Sequence, residues 1–359
     1  ATVNPTEETI EKFKRVRLEN SKLRADKHSF GQDPVKTLDG FEVTIRANLD
    51  MMGGYDGAER LGAKGIGLFR SEFLFNQNRG FPTEDEQYAN YARIADQVGT
   101  HGVRIRTFDL SADQLANRNF GKEKNPALGL RGIRLGFRFE NEFRVQIRAL
   151  LRAAYQRNVE ILLPMISDVS EIIRVKEMIA QESASLRASK TNIGTPGLGA
   201  MIEIPSAVMV IDGIAEEADF ISIGTNDLVQ YLLAVDRDNE EVADWFRTLH
   251  PAVLRSVKVV LDSARKHNTP AIVCGEMAGS PLYAVILLGM GASELSMNIG
   301  SIERVVPVLS DIAYEEARSV VDALLTCGTP DLVDEMVRKL FRRHWEHLFD
   351  SNLLPPLAD

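Results

Sequence analysis

The sequence predicts an α/β fold: a (β/α)8 barrel of the TIM type with an N-terminal linker helix and extra C-terminal helices. Three observations predict it. From about residue 40, short runs rich in β-branched residues alternate with helical periods, a pattern of parallel strands joined by crossover helices. About eight such units occur, the number that closes a barrel, and they occupy roughly 270 residues, a typical length for that fold. A doubly wound open sheet is the competing topology for the same alternation.

Residues 5–27, PTEETIEKFKRVRLENSKLRADK, are charged and helix-prone, with Ile10, Phe13 and Leu23 as sparse apolar anchors. Thr6 followed by Glu7 and Glu8 suits a helix start, because acidic groups favour the positive end of the dipole. A linker helix is therefore expected within residues 1–35, ahead of a barrel over 36–312. The strand runs are VTIRANL (43–49), GIGLFR (65–70), VRIRTFDL (103–110) and VEILLPMI (159–166), then GLGAMIEIP (197–205), DFISIGT (219–225), AIVCGEM (271–277) and ELSMN (294–298). Helical periods between them include 84–99, 142–156 and 252–268. The stretch 110–139 after the third strand is long, polar and glycine-bearing, and long loops in compact domains are usually functional or disordered; it reads as a site loop. After residue 305 the tail reads as two further helices broken near CGTP, a helical extension over 313–359.

Composition narrows the function classes. At 44% hydrophobic and 26% charged residues, the chain is ordinary for a soluble enzyme. A formal charge of −9 argues against nucleic acid as a main partner, since phosphate backbones demand clustered Lys and Arg. A small anionic ligand stays open, because a few local arginines can dominate a pocket. Cys274 and Cys327, the only cysteines, make neither a disulfide framework nor a zinc pattern. No apolar run reaches membrane-span length, and the start has no signal-peptide core, so no membrane insertion and a cytoplasmic location are expected. The first residue is not Met, a sign that the chain was cut from something longer.

In such a barrel the chemistry sits at the C-terminal strand ends. The second run ends at Arg70. The third carries Arg106 and Asp109, with Arg131 and Arg134 in the loop beyond. The fifth ends near Glu203, the sixth runs into Asn226 and Asp227 with Arg237 ten residues on, and the seventh carries Cys274 and Glu276. A lone strand-end arginine is usually a surface charge. Several aimed at one mouth repel each other unless an anion joins them, and the guanidinium fork suits phosphate and carboxylate. Glu203 reads either as a structural carboxylate paired with an arginine or, with Asp227, as a ligand of Mg²⁺, which takes one or two carboxylates plus substrate oxygens and water. Asn226 reads as an N-cap for a helix beginning near Leu228, compatible with a ligand role at an anion-binding helix terminus. Cys274 reads as an inert buried thiol or, among cations, as a proton donor. Phosphoryl transfer suits this set, with positioning and charge neutralisation as its main terms, and proton transfer at carbon is a natural companion.

These same residues carry a resemblance. DFISIGTNDLVQYLLAVDR followed by VCGEMAG resembles the signature of phosphoenolpyruvate-utilising enzymes, most closely the enzyme I family of bacterial phosphotransferase systems. It runs from KTLDGFEVTIRANL at residue 36 through GAKGIGLFRSEFLF, PTEDEQ, NPALGLRGIR and LPMISDVSEI to LLGMGASELSMN, in order. The resemblance implies a phosphoenolpyruvate-binding barrel that forms a homodimer and works with Mg²⁺. It implies that Arg70, Arg106 and Arg131 face the phosphate, that Glu203 and Asp227 ligate the metal, and that Asn226 and Arg237 complete phosphate and carboxylate binding. Cys274 would protonate the departing enolate to give pyruvate. Implied partners are a phosphohistidine domain and an HPr-type phosphocarrier protein.

Two departures stand out. The family's acceptor histidine lies in a pattern like G-G-x-[ST]-S-H, and none of the histidines at 28, 101, 250, 267, 344 and 347 lies in anything similar. The expectation is a fragment whose phosphohistidine domain lies elsewhere. Where the family usually carries Gly-Gly-Asp-Lys, this chain reads Ser111, Ala112, Asp113 and Gln114; Ser and Ala resist conformations that glycine permits, and Gln removes a cation. Other readings are the barrel of a pyruvate phosphate dikinase or phosphoenolpyruvate synthase relative, which shares the local motifs, and a non-catalytic phosphoenolpyruvate-sensing dimerisation module, which the altered loop favours.

Overall fold

A computed structural model describes residues 34–78, 80–111, 114–115, 123–349 and 353–355. The expected linker helix and the loop residues Ala112 and Asp113 lie outside the described residues.

Eight parallel strands close on themselves: β1 (Glu42–Leu49), β2 (Ile66–Arg70), β3 (Val103–Arg106), β4 (Val159–Leu163), β5 (Leu198–Ile202), β6 (Phe220–Ile223), β7 (Ala271–Val273) and β8 (Glu294–Met297). Each pairs with the next, and β8 returns to β1 through Thr44 opposite Glu294 and Ala47 opposite Met297. That last pairing decides for the barrel over the open sheet. A two-residue strand, Val35–Lys36, folds back antiparallel on the start of β1.

The helices are α1 (Tyr55–Arg60), α2 (Glu72–Asn78), α3 (Glu84–Val98), α4 (Gly132–Arg138), α5 (Glu140–Ala153), α6 (Val169–Ala188), α7 (Pro205–Met209), α8 (Ile211–Glu217), α9 (Thr225–Leu233), α10 (Pro251–His267), α11 (Pro281–Gly289), α12 (Ile299–Ser310), α13 (Tyr314–Leu325) and α14 (Pro330–Trp345). Their starts are written locally. Thr83 and Glu86 close a reciprocal capping box on α3, and Asp168 and Glu171 do the same for α6; each satisfies two backbone donors that a helix start leaves open. One stripe of α3, with Tyr91, Ile94, Ala95 and Val98, is buried in the core, as helical spacing of apolar residues requires.

Inside the barrel, Leu68, Leu162, Met201, Phe220 and Cys274 form a separate apolar layer. Gly199 makes room for it: a Cβ there would lie 2.3 Å from the Phe220 ring. The Arg104 guanidinium lies over the other side of that layer, 4.5 Å from the Phe220 ring centroid.

Most strands stop earlier than their apolar runs. β3 ends at Arg106 rather than 110, β4 at Leu163 rather than 166, β5 at Ile202 rather than 205 and β7 at Val273 rather than 277. Beyond these points the chain leaves the ladder to turn over the barrel rim. Pro164 and Pro205, which lack a backbone donor, fall just past two of the ends.

Candidate functional site

The strand ends surround a cavity of about 740 Å³, lined by Arg70, Arg106, Asp109, Arg131, Glu203, Asn226, Asp227, Arg237, Cys274 and Glu276, with Leu68, Met201 and Phe246 as apolar wall. All eight residues to which the resemblance gives a role line this one cavity. A larger hollow of about 890 Å³ between α11 and α14 contains none of them.

The backbone turns that present these groups are specific. Arg131 directly precedes Gly132, whose φ of +57° lies in the left-handed region, where a Cβ is costly; a Cβ there would also meet Met165 at 2.6 Å. Met165 itself sits at φ +59°, a conformation non-glycine residues adopt at a cost of roughly 1 kcal/mol. Its N–H is thereby aimed at Glu203 Oε1, 2.7 Å away. Gly224 closes the other side: a Cβ would lie 2.7 Å from Glu203 Oε2.

Arginines and carboxylates interlock. Arg131 forks onto Asp109 through Nε–Oδ1 at 3.0 Å and Nη2–Oδ2 at 2.7 Å, reaches Asp227 at 3.4 Å, and donates to the Tyr231 hydroxyl at 3.1 Å. Arg106 donates to Glu72 at 2.9 Å and lies 3.4 Å from Asp109. Glu72 also accepts the backbone N–H of Asp109. Arg70 and Arg237 are looser: Arg70 is paired with the exposed Asp50, and Arg237 lies 3.9 Å from Asp227 with a side chain 40% exposed.

Charges in the pocket split the carboxylates. Burial would raise Asp109, but Arg106, Arg131 and Arg237 together hold its carboxyl below the usual range. Burial raises Glu203 well above its ordinary value, and the charges of Asp227 and Asp109 add to that, outweighing Arg106 and Arg131. Glu203 makes no ion pair among the described residues, which sets aside its reading as a carboxylate paired with an arginine. Asp227 Oδ1 is buried without a hydrogen-bond partner. Two carboxylates, one whose pKa burial and neighbouring charge push upward and one with an orphaned oxygen, form a place where a cation would relieve both conditions. Among the described residues no three His, Cys, Asp or Glu side chains group closely enough to enclose an ion, so any ion here takes its remaining ligands from bound substrate and water.

Cys274 is 3% exposed, on the apolar layer of the barrel interior. Its Sγ accepts from the Ser222 hydroxyl at 3.1 Å and lies 3.5 Å from the Ile223 carbonyl. Burial pushes its thiol up; Ser222 pulls the other way, as do Arg70 and Arg106, while Glu203 adds to the rise. The group is therefore a protonated thiol at neutral pH, fit to donate a proton.

Three expectations need correction or addition. Asn226 is no N-cap: α9 begins at Thr225 with Gly224 ahead of it, and the Asn226 Oδ1 instead accepts the Glu276 N–H at 2.8 Å, tying the sixth strand end to the seventh. Arg134 does not line the cavity; its guanidinium donates to the Leu128 and Gly129 carbonyls. Sequence reasoning missed Asp50, Glu72 and Tyr231, whose parts depend on partners across the barrel mouth. In the altered loop, Gln114 turns back and accepts from the Ser111 N–H at 2.9 Å.

The family described as PEP-utilising enzyme, PEP-binding domain, matches residues 24–314. Among curated relatives, phosphoenolpyruvate-protein phosphotransferases from Bacillus sp. (strain S), Haemophilus influenzae and Cupriavidus necator are 38%, 36% and 39% identical over 94%, 94% and 95% of this chain. The chain spans 59% of the length of each of these relatives. With a closed parallel barrel, the strand-end cavity and a match over most of its length, the chain belongs to the family of PEP-binding domains of PEP-utilising enzymes.

Proposed function

We propose that this chain is the phosphoenolpyruvate-binding, Mg²⁺-dependent domain of an enzyme I-like phosphotransferase. The phosphoryl group of phosphoenolpyruvate moves to a histidine on a separate phosphohistidine domain, from there to an HPr-type carrier protein, and pyruvate leaves. The observation that carries this reading is the convergence of four arginines, the carboxylates Glu203 and Asp227, an asparagine and a buried thiol on one cavity. Residues 36–312 form the barrel of this reading and 313–359 its helical extension. A homodimer in the cytoplasm is the expected setting; no helix among the described residues is long and apolar enough to cross a membrane.

Each group has one task. Arg70, Arg106 and Arg131 hold the phosphate, with Asn226 beside them, and Arg237 takes the carboxylate. The already interlocked Arg106 and Arg131 need no reordering, while Arg70 exchanges Asp50 for ligand. Preorganised charge of this kind supplies most of the stabilisation in phosphoryl transfer. Glu203 and Asp227 would hold Mg²⁺, which neutralises phosphate charge when bound. The Cys274 thiol delivers its proton to the carbon of the enolate.

The test is calorimetric titration with phosphoenolpyruvate, with Mg²⁺ and again with excess chelator. Binding should require the metal, and Glu203→Ala should weaken it at least tenfold, about 1.4 kcal/mol. No binding under either condition would sink this reading. The sensing-module reading, which draws on Gln114 folding onto Ser111 rather than offering a cation, is supported instead if binding occurs but pyruvate methyl protons do not exchange with solvent.

A further inference from the structure

β6 reads Phe220, Ile221, Ser222, Ile223, and its serine is fully buried. A buried hydroxyl needs a partner. The partner here is a sulfur, a weak acceptor, at 3.1 Å. The other polar neighbour of that sulfur is the Ile223 carbonyl at 3.5 Å, which accepts from S–H but offers nothing to an anion. Cys274 packs in an apolar layer with Leu68, Leu162, Met201 and Phe220. The thiol thus rests between one donor and one acceptor at the cavity floor. Asn48 fixes the backbone at the same point, donating to the Cys274 carbonyl at 2.9 Å.

We propose that Ser222 is a positioning residue for the proton-transfer step at Cys274. Its hydroxyl orients Sγ toward the cavity and donates the hydrogen bond the sulfur requires once its proton has left. This rests on the reading of Cys274 as the proton donor. In the forward direction the S–H bond breaks, C3 of the enolate gains the proton, and the electron pair remains on sulfur, where the Ser222 hydroxyl meets it; solvent water then restores the thiol. In reverse, the thiolate takes a methyl proton from pyruvate and the electron pair moves onto the enolate oxygen. An anion in an apolar seat is costly without such a donor. Among the charged groups facing the thiol, Glu203 opposes the anion while Arg70 and Arg106 favour it, so the serine adds to a balance set across the mouth.

Two measurements decide the matter. In a Cys327→Ser background, ultraviolet titration of the remaining thiolate should show a midpoint about one pH unit higher in Ser222→Ala, a tenfold change in ionisation. Exchange of pyruvate methyl protons with solvent, followed by NMR across pH, should shift its midpoint the same way and slow several-fold at neutral pH. Phosphoenolpyruvate affinity should stay within about twofold, because Ser222 does not line the cavity. An unmoved thiolate midpoint overturns the proposal, whatever happens to the exchange plateau, since loss of packing alone lowers the plateau without moving the midpoint. If Cys274→Ala still exchanges, the proton-donor reading itself fails and Ser222 falls with it. A silent Cys274→Ala beside an unmoved midpoint sinks only the Ser222 assignment.

Discussion

Arg131 shows how single residues carry the site. Its Nε and Nη2 are committed to Asp109, and Nη1 to the Tyr231 hydroxyl, which in turn donates to the Ala127 carbonyl in the same loop. The fork is held from both sides, so the guanidinium that lines the cavity has little freedom to lose. Burial works against its charge, but Asp109 and Asp227 raise its pKa further still. Arg131→Lys keeps the charge and loses the fork. We expect phosphoenolpyruvate affinity to fall roughly ten- to a hundredfold, about 1.4–2.7 kcal/mol, with an unchanged circular dichroism spectrum; calorimetric affinity within twofold of the parent would refute the positioning argument. Arg131 was legible in the sequence because it lies in a motif, LGLR, at a strand-end loop. Tyr231 was not, because its hydroxyl acquires a function only from a loop a hundred residues away. The N-cap reading of Asn226 failed for a related reason: residue type alone does not fix whether a helix starts at Thr225 or Leu228.

At the scale of elements, the sequence carried strand positions better than strand ends. Apolar runs continue past the ladder because rim turns of this barrel are themselves buried, as Met165, Ile166 and Met277 are; periodicity has no way to separate a buried strand from a buried turn. Element joints were equally invisible. Asp39, in the turn before β1, accepts the N–H groups of Tyr314 and Glu315 at 2.8 and 3.0 Å, and so caps α13 from the far end of the chain. Its slight burial pushes its carboxyl up, but the Thr37 hydroxyl and those two N–H groups hold it at about 2, below its ordinary 3.8. A lowered carboxylate pKa contributes stability above the unfolded value and loses it as pH falls through the folded one. Asp39→Ala should therefore cost about 1 kcal/mol at neutral pH, as loss of a cap does, with the deficit shrinking between pH 4 and pH 2. Asp39→Asn, still an acceptor, should recover much of it. Urea midpoints across that range measure both, and a deficit independent of pH would mean the carboxylate charge plays no part.

The whole molecule separates stability from chemistry along the barrel axis. At the strand starts, Glu294 of β8 joins Arg46 of β1 and Arg104 of β3, and Arg104 continues to Glu160 of β4 at 2.9 Å. This chain of charges spans the seam where the sheet closes, since Glu294 pairs with Thr44 in the β8–β1 ladder. The sequence offered the unit count that closes a barrel but not the seam itself, because the seam joins residues some 250 positions apart and neither partner is marked locally. The side chain of Arg104 is 5% exposed. Removing its partner leaves guanidinium charge in a poorly solvated place, and breaking a buried pair in this way typically costs about 3–5 kcal/mol. Arg104 retains Glu160, and Arg46 retains the His101 carbonyl at 2.9 Å, so Glu294→Ala should sit near the lower end, roughly 3 kcal/mol. The residues that line the cavity, by contrast, stand at the opposite strand ends. Phosphoenolpyruvate affinity at a temperature where the variant remains folded should then match the parent within about twofold. Denaturant unfolding and calorimetry on the same sample test the two halves together. A parallel loss of stability and affinity would show that closure of the barrel and the geometry of its mouth are coupled, against the separation argued here.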